Sequence, residues 1–136
     1  MRRKIIHALT KAPAEEAVYS RAAAADDVLG VRVSTHEIVW PRFFKREYMP
    51  FADVVWAYLS IQETEMQTGE FDGGSLIDVR LVLFDAQGCY AAIKFDRPSY
   101  GEAALSLVKK NAPHIAIGAT PENRERFAFQ LPTWQK

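Results

Sequence analysis

An α+β domain is the fold class that this sequence predicts, and three observations carry the expectation. Apolar and polar residues alternate over much of 29–95, the period of strands with one buried face. At 99–111 the spacing lengthens to that of an amphipathic helix. Between them, Pro50 interrupts an extended run and Val54 restarts it, so one strand ends and a second leaves in a new direction. Phe51 can bury beside that break, and Asp53 can hydrogen-bond nearby backbone.

The elements follow in order. The segment 4–9 is short and ambiguous, with an extended reading open. Pro13 suits a first helical turn, and Glu15 and Glu16 favour its positive end. Ala14, Ala17, Val18, Ala22 and Ala25 then share one face of a helix ending before Asp26 and Asp27. So small a stripe predicts close packing on something flat, in this chain or a neighbour.

Leu29, Val31 and Val33 open the alternating region, and Ser34, Thr35 and His36 turn into a strand at 37–40. Pro41 interrupts, 43–49 resumes, and Pro50 interrupts again. In the next strand Val55, Ala57, Leu59 and Ile61 line one face and Val54, Trp56 and Tyr58 the other, as in a strand covered on both sides. Asp72, Gly73 and Gly74 offer a hairpin turn. Ile77, Val79, Leu81 and Leu83 then point inward, with Asp78 and Arg80 outward.

A second turn at 85–88 leads to a strand with Ala91, Ile93 and Phe95 on one face. Ser99 and Glu102 have capping-box spacing at the head of the clearest helix, where Leu107 and Val108 are expected in the core. Thr120 and Pro121 read as an N-cap and first position of a short helix. Phe127, Phe129, Leu131 and Trp134 are expected to fold back onto the body.

Composition narrows the function classes. The chain has 136 residues, 49% hydrophobic and 25% charged, enough for one core without disulfide or metal. The single cysteine, Cys89, excludes an internal disulfide and a cysteine-based zinc cluster. No apolar run approaches the roughly 20 residues of a membrane span, and the basic start at 1–11 is too short in apolar residues for a secretory signal. The expected location is cytoplasmic.

Net charge is zero but segregated: residues 1–46 carry nine bases and five acids, and residues 47–79 seven acids and no base. Neutrality argues against nucleic-acid binding. Segregation admits two readings, complementary faces that meet in a homo-oligomer or simply solvated strand faces.

Arg46, the triplet Met49-Pro50-Phe51, Asp53 and Val54, followed by several strands and one helix, resemble the bacterial pleckstrin-homology-like (PH-like) domains. The segment NAPHIAIG at 111–118 is similar to the end of the helix in some members. The resemblance covers 29–118 and implies a half-open barrel of antiparallel strands capped by a C-terminal helix. Residues 1–28 are then an extra N-terminal helical extension, and 119–136 a short helix and tail packed on the body. Met49 stands where the family usually has isoleucine, and no shared activity comes with the likeness.

No catalytic motif is present. His7, His36 and His114 lack metal-ligand spacing, Cys89 has no adjacent base, and no glycine pattern matches a nucleotide loop, so neither catalysis, cofactor nor metal is expected. The one functional candidate is Trp40, Arg42, Lys45 and Arg46, where bases interleave with Phe43 and Phe44 as an anion, headgroup or partner surface could. The plainer reading is an edge strand with the arginines outside and one of the phenylalanines inside.

The favoured expectation is a non-enzymatic interaction module that self-associates and meets a protein partner. Anion or phospholipid-headgroup binding through 42–46 is the alternative, and an enzyme with a pocket in the barrel the third. Three bases give a weak handle on an anionic membrane, so no stable insertion and no measurable vesicle binding at physiological salt are expected.

Overall fold

The computed structural model describes residues 3–68, 71–132 and 134, with side chains described outside 64–75. Nine strands form two mixed sheets that do not close into a barrel, accompanied by three α-helices among the described residues. The first sheet contains β1 (Ile5–His7), β2 (Asp26–Val28), β3 (Val31–Val33), β4 (Glu37–Arg42) and β5 (Lys45–Pro50), in the order β1-β5-β4-β3-β2. The second contains β6 (Val54–Thr68), β7 (Phe71–Asp85), β8 (Tyr90–Phe95) and β9 (Ala116–Ile117), in the order β8-β7-β6-β9. Sequential strands pair antiparallel, whereas β1 runs parallel to β5 and β9 parallel to β6.

Pro50 does end one strand. A 3-10 turn, Phe51–Asp53, carries the chain into the other sheet. Phe51 is buried there; its N–H donates to the His36 carbonyl at 2.9 Å, and its carbonyl accepts from His114 Nε2 at 2.8 Å. Pro41, by contrast, does not interrupt. It stays in β4 opposite Arg46, because the β3 ladder has ended by Val39 and the N–H that proline lacks is not required on that side.

The inner faces of both sheets and α2 (Pro98–Asn111) enclose the main core, with Trp40, Met49, Phe51, Leu81, Leu83, Ala104 and Val108 buried. The capping box expected at Ser99 does not form. The helix begins one residue earlier with Pro98 at its first position, and the fixed φ of proline organises the turn without a side-chain cap. Val108 is fully buried, and Leu107 packs at the margin of the core. Gly101 lies so close to the second sheet that a Cβ there would stand 2.6 Å from Leu59 and 3.1 Å from Val79.

Each outer face is covered by an end of the chain. Helix α1 (Glu16–Ala24) lays Val18 and Ala22 on Ile5 and Val39 of the first sheet. It starts later than its sequence pattern predicts, because Pro13 bridges to Ile6 and Ala14 donates to the Ile5 carbonyl, which holds the entry extended. Arg21 of α1 grips both oxygens of Glu37, a carboxylate only 2% exposed, with Nε at 3.1 and 2.9 Å; the Ser34 hydroxyl donates to the same group. The hydrogen bonds to Glu37 raise the pKa of the Arg21 guanidinium above its ordinary value.

On the second sheet, Phe127, Phe129, Leu131 and Trp134 cover Trp56, Tyr58, Val82 and Phe84, as the sequence led one to expect. A short helix α3 (Pro121–Arg126), capped by the Thr120 side chain, precedes this tail. The faces of β6 differ from strict alternation. Register shifts between Val54 and Trp56, so Val54 joins Ala57 in the main core and Val55 joins Trp56 outside.

Beyond Ile61, among the described residues, β6 and β7 pair only with each other, forming a two-stranded ribbon. The turn read at Asp72, Gly73 and Gly74 lies inside β7: the register shifts between Glu65 and Gln67, where the two glycines fall, and pairing resumes with Gln67 opposite Asp72 and Thr68 opposite Phe71. Glycine tolerates the backbone of such an irregularity, so the two residues that read as a turn mark a break in register within the ribbon.

Two substitutions test this packing. Gly101→Leu is expected to lower stability in urea by about 1–3 kcal/mol, since the helix cannot approach Leu59 and Val79 with a side chain between them. Arg21→Ala leaves the buried Glu37 carboxylate with Ser34 alone and is expected to cost about 3 kcal/mol, with Arg21→Lys recovering part of it.

Candidate docking surface

The segment singled out in the sequence is divided by the sheet. Strands β4 and β5 form a hairpin in which Arg42 faces Lys45, Pro41 faces Arg46 and Trp40 faces Glu47. Alternation therefore sends Arg42, Lys45 and Glu47 to one face and Arg46 to the other. Trp40 is buried in the main core, 3% exposed. Arg46 turns toward α1, its guanidinium 6.0 Å from the Tyr19 ring and its Nη2 donating to the Arg3 carbonyl at 3.3 Å. Arg42 and Lys45 remain exposed.

The expected edge strand with one phenylalanine inside is not what forms. Strand β5 lies between β1 and β4, so it is no edge, and Phe43 and Phe44 are the two loop residues of the hairpin. They are 85% and 92% exposed. Phe43 has φ 55°, the left-handed conformation that such turns normally assign to Gly, Asn or Asp. Its ring lies 5.5 Å from the Arg42 guanidinium.

A second turn repeats the pattern beside it. Leu29, expected inside a strand, is instead at φ 49° in the β2–β3 turn and 63% exposed, followed by Gly30 at φ 90°. The Asp27 carboxylate accepts from Gly30 N–H at 2.7 Å, which closes this turn and expels Leu29 from the alternation. A Cβ on Gly30 would stand 3.7 Å from Pro41, so the two turns are neighbours. Three exposed apolar side chains thus share one end of the first sheet.

Bases line the hollow beside the two phenylalanines, whereas the Leu29 turn carries the Asp27 carboxylate. A hollow of about 470 Å³ beside the hairpin is lined by Ile6, Pro13, Phe43 and Phe44 together with Lys4, Lys11, Arg42 and Lys45. Its one carboxylate is Glu47, with a side chain 8% exposed, held by Lys11 at 2.6 Å and Arg42 at 3.4 Å.

A second depression of about 370 Å³ runs along β8, between Leu29, Trp40 and Arg42 on one side and Arg80, Lys94 and Asp96 on the other. Arg80 is already engaged by Asp78 and by the Trp134 ring at 4.2 Å.

The remaining titratable groups serve the fold. His7 Nδ1 accepts from the N–H groups of Leu9 and Thr10, which leaves Nε2 to donate toward Asp53 at 3.4 Å. Burial, with Glu15, Asp53 and Glu37 around it, raises the Tyr48 phenol, keeping it neutral. Among the described residues no three His, Cys, Asp or Glu side chains gather as metal ligands do, and Cys89 is an exposed free thiol. No helix among the described residues is long and apolar enough to cross a membrane. Compared with family models, with curated proteins and with solved structures, the chain matches none.

Composition gave no sign of the hairpin tip. Its signal was the count of two residues between Arg42 and Lys45, which becomes readable once the strands on both sides are in register.

Replacing Phe43 by glycine removes the left-handed strain and is expected to raise stability by about 1 kcal/mol, read as a higher midpoint in urea. Phe44→Ser changes an exposed side chain and is expected to leave the midpoint within about 0.5 kcal/mol.

Proposed function

We propose that this chain is a non-enzymatic protein-interaction module of PH-like plan that self-associates, with the β6–β7 ribbon as its contact. The PH-like part of the reading is supported by order: one run of antiparallel strands, a switch at Pro50, a second antiparallel run, then a helix over the core. A reducing, cytoplasmic setting belongs to the same proposal and keeps the exposed Cys89 thiol free.

One observation carries the self-association. The inner apolar face of the second sheet continues onto the ribbon after its cover has ended. Leu59 and Val79 lie under Gly101 of α2, and the ladder to β8 stops at Val79. Ile61, opposite Val79, and Ile77, opposite Glu63, follow on that face, 49% and 44% exposed. An isolated two-stranded ribbon is marginal in water, and an apolar stripe along it is stabilised by a second surface.

Charge favours a second copy as that surface. The ribbon belongs to a stretch, 47–79, with seven acids and no base, whereas residues 1–46 carry nine bases. In a two-fold dimer each ribbon reaches the basic part of its partner, and both contacts form at once. The alanine face of α1 is not available for this role, since Val18 and Ala22 are buried on the chain's own sheet.

Sedimentation equilibrium at tens of micromolar protein tests the proposal. A dimer is expected, weakened about tenfold or more by Ile61→Ser with Ile77→Ser, and weakened by salt. A wild-type monomer under these conditions, or a dimer indifferent to the double substitution, would overturn it.

A further inference from the structure

We propose that the paired turns of the first sheet form a docking site for an anionic phospholipid surface, with Phe43, Phe44 and Leu29 entering the interface and the flanking bases meeting the headgroups. This stands on observations separate from those behind the ribbon. Two neighbouring turns each place a large apolar residue at positive φ, Phe43 at 55° and Leu29 at 49°, where glycine or asparagine is usual. Residues held in that conformation lower stability, and such outliers gather where a surface does something other than fold.

The shape and the charge select the occupant. The apolar groups sit at turn tips, 63%, 85% and 92% exposed for Leu29, Phe43 and Phe44, at the rims of hollows that do not enclose them, so they suit a deformable layer that accepts protrusions. Lys4, Lys11, Arg42 and Lys45 line the hollow beside the hairpin, and the only acid there among the described residues, Glu47, is buried and already paired. Aromatic side chains enter the headgroup boundary while Lys and Arg stay at the phosphates, the combination that holds peripheral proteins on membranes. Each base near an anionic surface multiplies partitioning by about fivefold.

The weak binding expected from sequence counted three bases and took one phenylalanine as buried. Both rings are outside, and although Arg46 turns away, Lys4 and Lys11 join Arg42 and Lys45 around the one acid Glu47, which keeps three net positive charges, so that apolar insertion adds to attraction. Attraction brings the tip to the layer, and insertion retains it when salt screens the charges.

Co-sedimentation with vesicles of phosphatidylcholine, with or without phosphatidylserine, tests the site in the full chain. The wild type is expected to partition onto phosphatidylserine-containing vesicles and to stay free of phosphatidylcholine alone. Phe44→Ser is expected to reduce partitioning by about tenfold or more, and Lys45→Glu by a similar factor. Phe43→Gly is the decisive variant: it is expected to fold more stably and bind less, a combination that loss of structure cannot produce. Tryptophan placed by Phe44→Trp should be quenched by brominated lipid.

Wild-type protein that remains free of phosphatidylserine vesicles at low salt would overturn the proposal, as would binding unchanged in the Phe43→Gly/Phe44→Ser double variant. If that double variant abolishes self-association while vesicles never retain the wild type, the tip is a contact between copies and the lipid assignment is wrong.

Discussion

The turn at Phe51–Asp53 is the constraint on which the rest of the fold depends. Pro50 closes the β5 ladder opposite Glu37 with no N–H to donate, and Phe51 is buried at once, so the chain leaves the first sheet there. Two backbone anchors decide its direction. The Phe51 N–H is held by His36, at the start of β4, and the Phe51 carbonyl by His114, just after α2. A carbonyl only accepts, so His114 Nε2 carries its proton toward the turn. One residue therefore links both sheets and the helix that fills the space between them. With that joint set, the second sheet has one face toward the first and α2 can lie over Leu59 and Val79.

Such an arrangement leaves each sheet with an apolar outer face, and the two ends of the chain cover them by different means. The N-terminal cover gains little from large side chains. Only Val18 and Ala22 bury fully, and a charged grip, Arg21 on Glu37, adds to them. The C-terminal cover is aromatic: Phe127 stacks on Trp56 at 5.6 Å and Phe129 on Phe84 at the same distance, while the Trp56 indole donates to the Gly118 carbonyl. With both outer faces closed by the chain itself, the large apolar side chains still exposed collect at the turns and on the ribbon.

Those leftovers were the hardest part to read from sequence. Strand positions such as Leu81, Leu83, Ile93 and Phe95 were legible, because alternation is enforced wherever one face is buried. The helix at 98–111 was legible by its period, although its start was misplaced, since proline at the first position needs no side-chain cap. Alternation failed where one residue changes the count. The shift between Val54 and Trp56 exchanges two valines across the sheet, and the turn at Leu29 removes a residue that reads as strand. Phe43 and Phe44 were misread for a related reason. Hydrophobicity alone places a phenylalanine inside, whereas a two-residue loop has no inside to offer.

The buried carboxylates explain why the basic character survives at that tip. Glu47 loses most of its hydration in β5 and is stable as an anion only if paired. Its partners come from both sides of the hairpin: Arg42 from β4, and Lys11 from the loop that follows β1. Lys11 also donates to the Ala8 carbonyl at 2.7 Å, so the same ammonium closes its own loop and binds the hairpin to the β1 segment. The acid thus consumes a charge in the interior and fixes two bases beside the phenylalanines. Lys4 and Lys45 have no ion pair among the described residues and face solvent. A carboxylate that would weaken an exposed basic patch instead orders one, because it is spent below the surface and not on it.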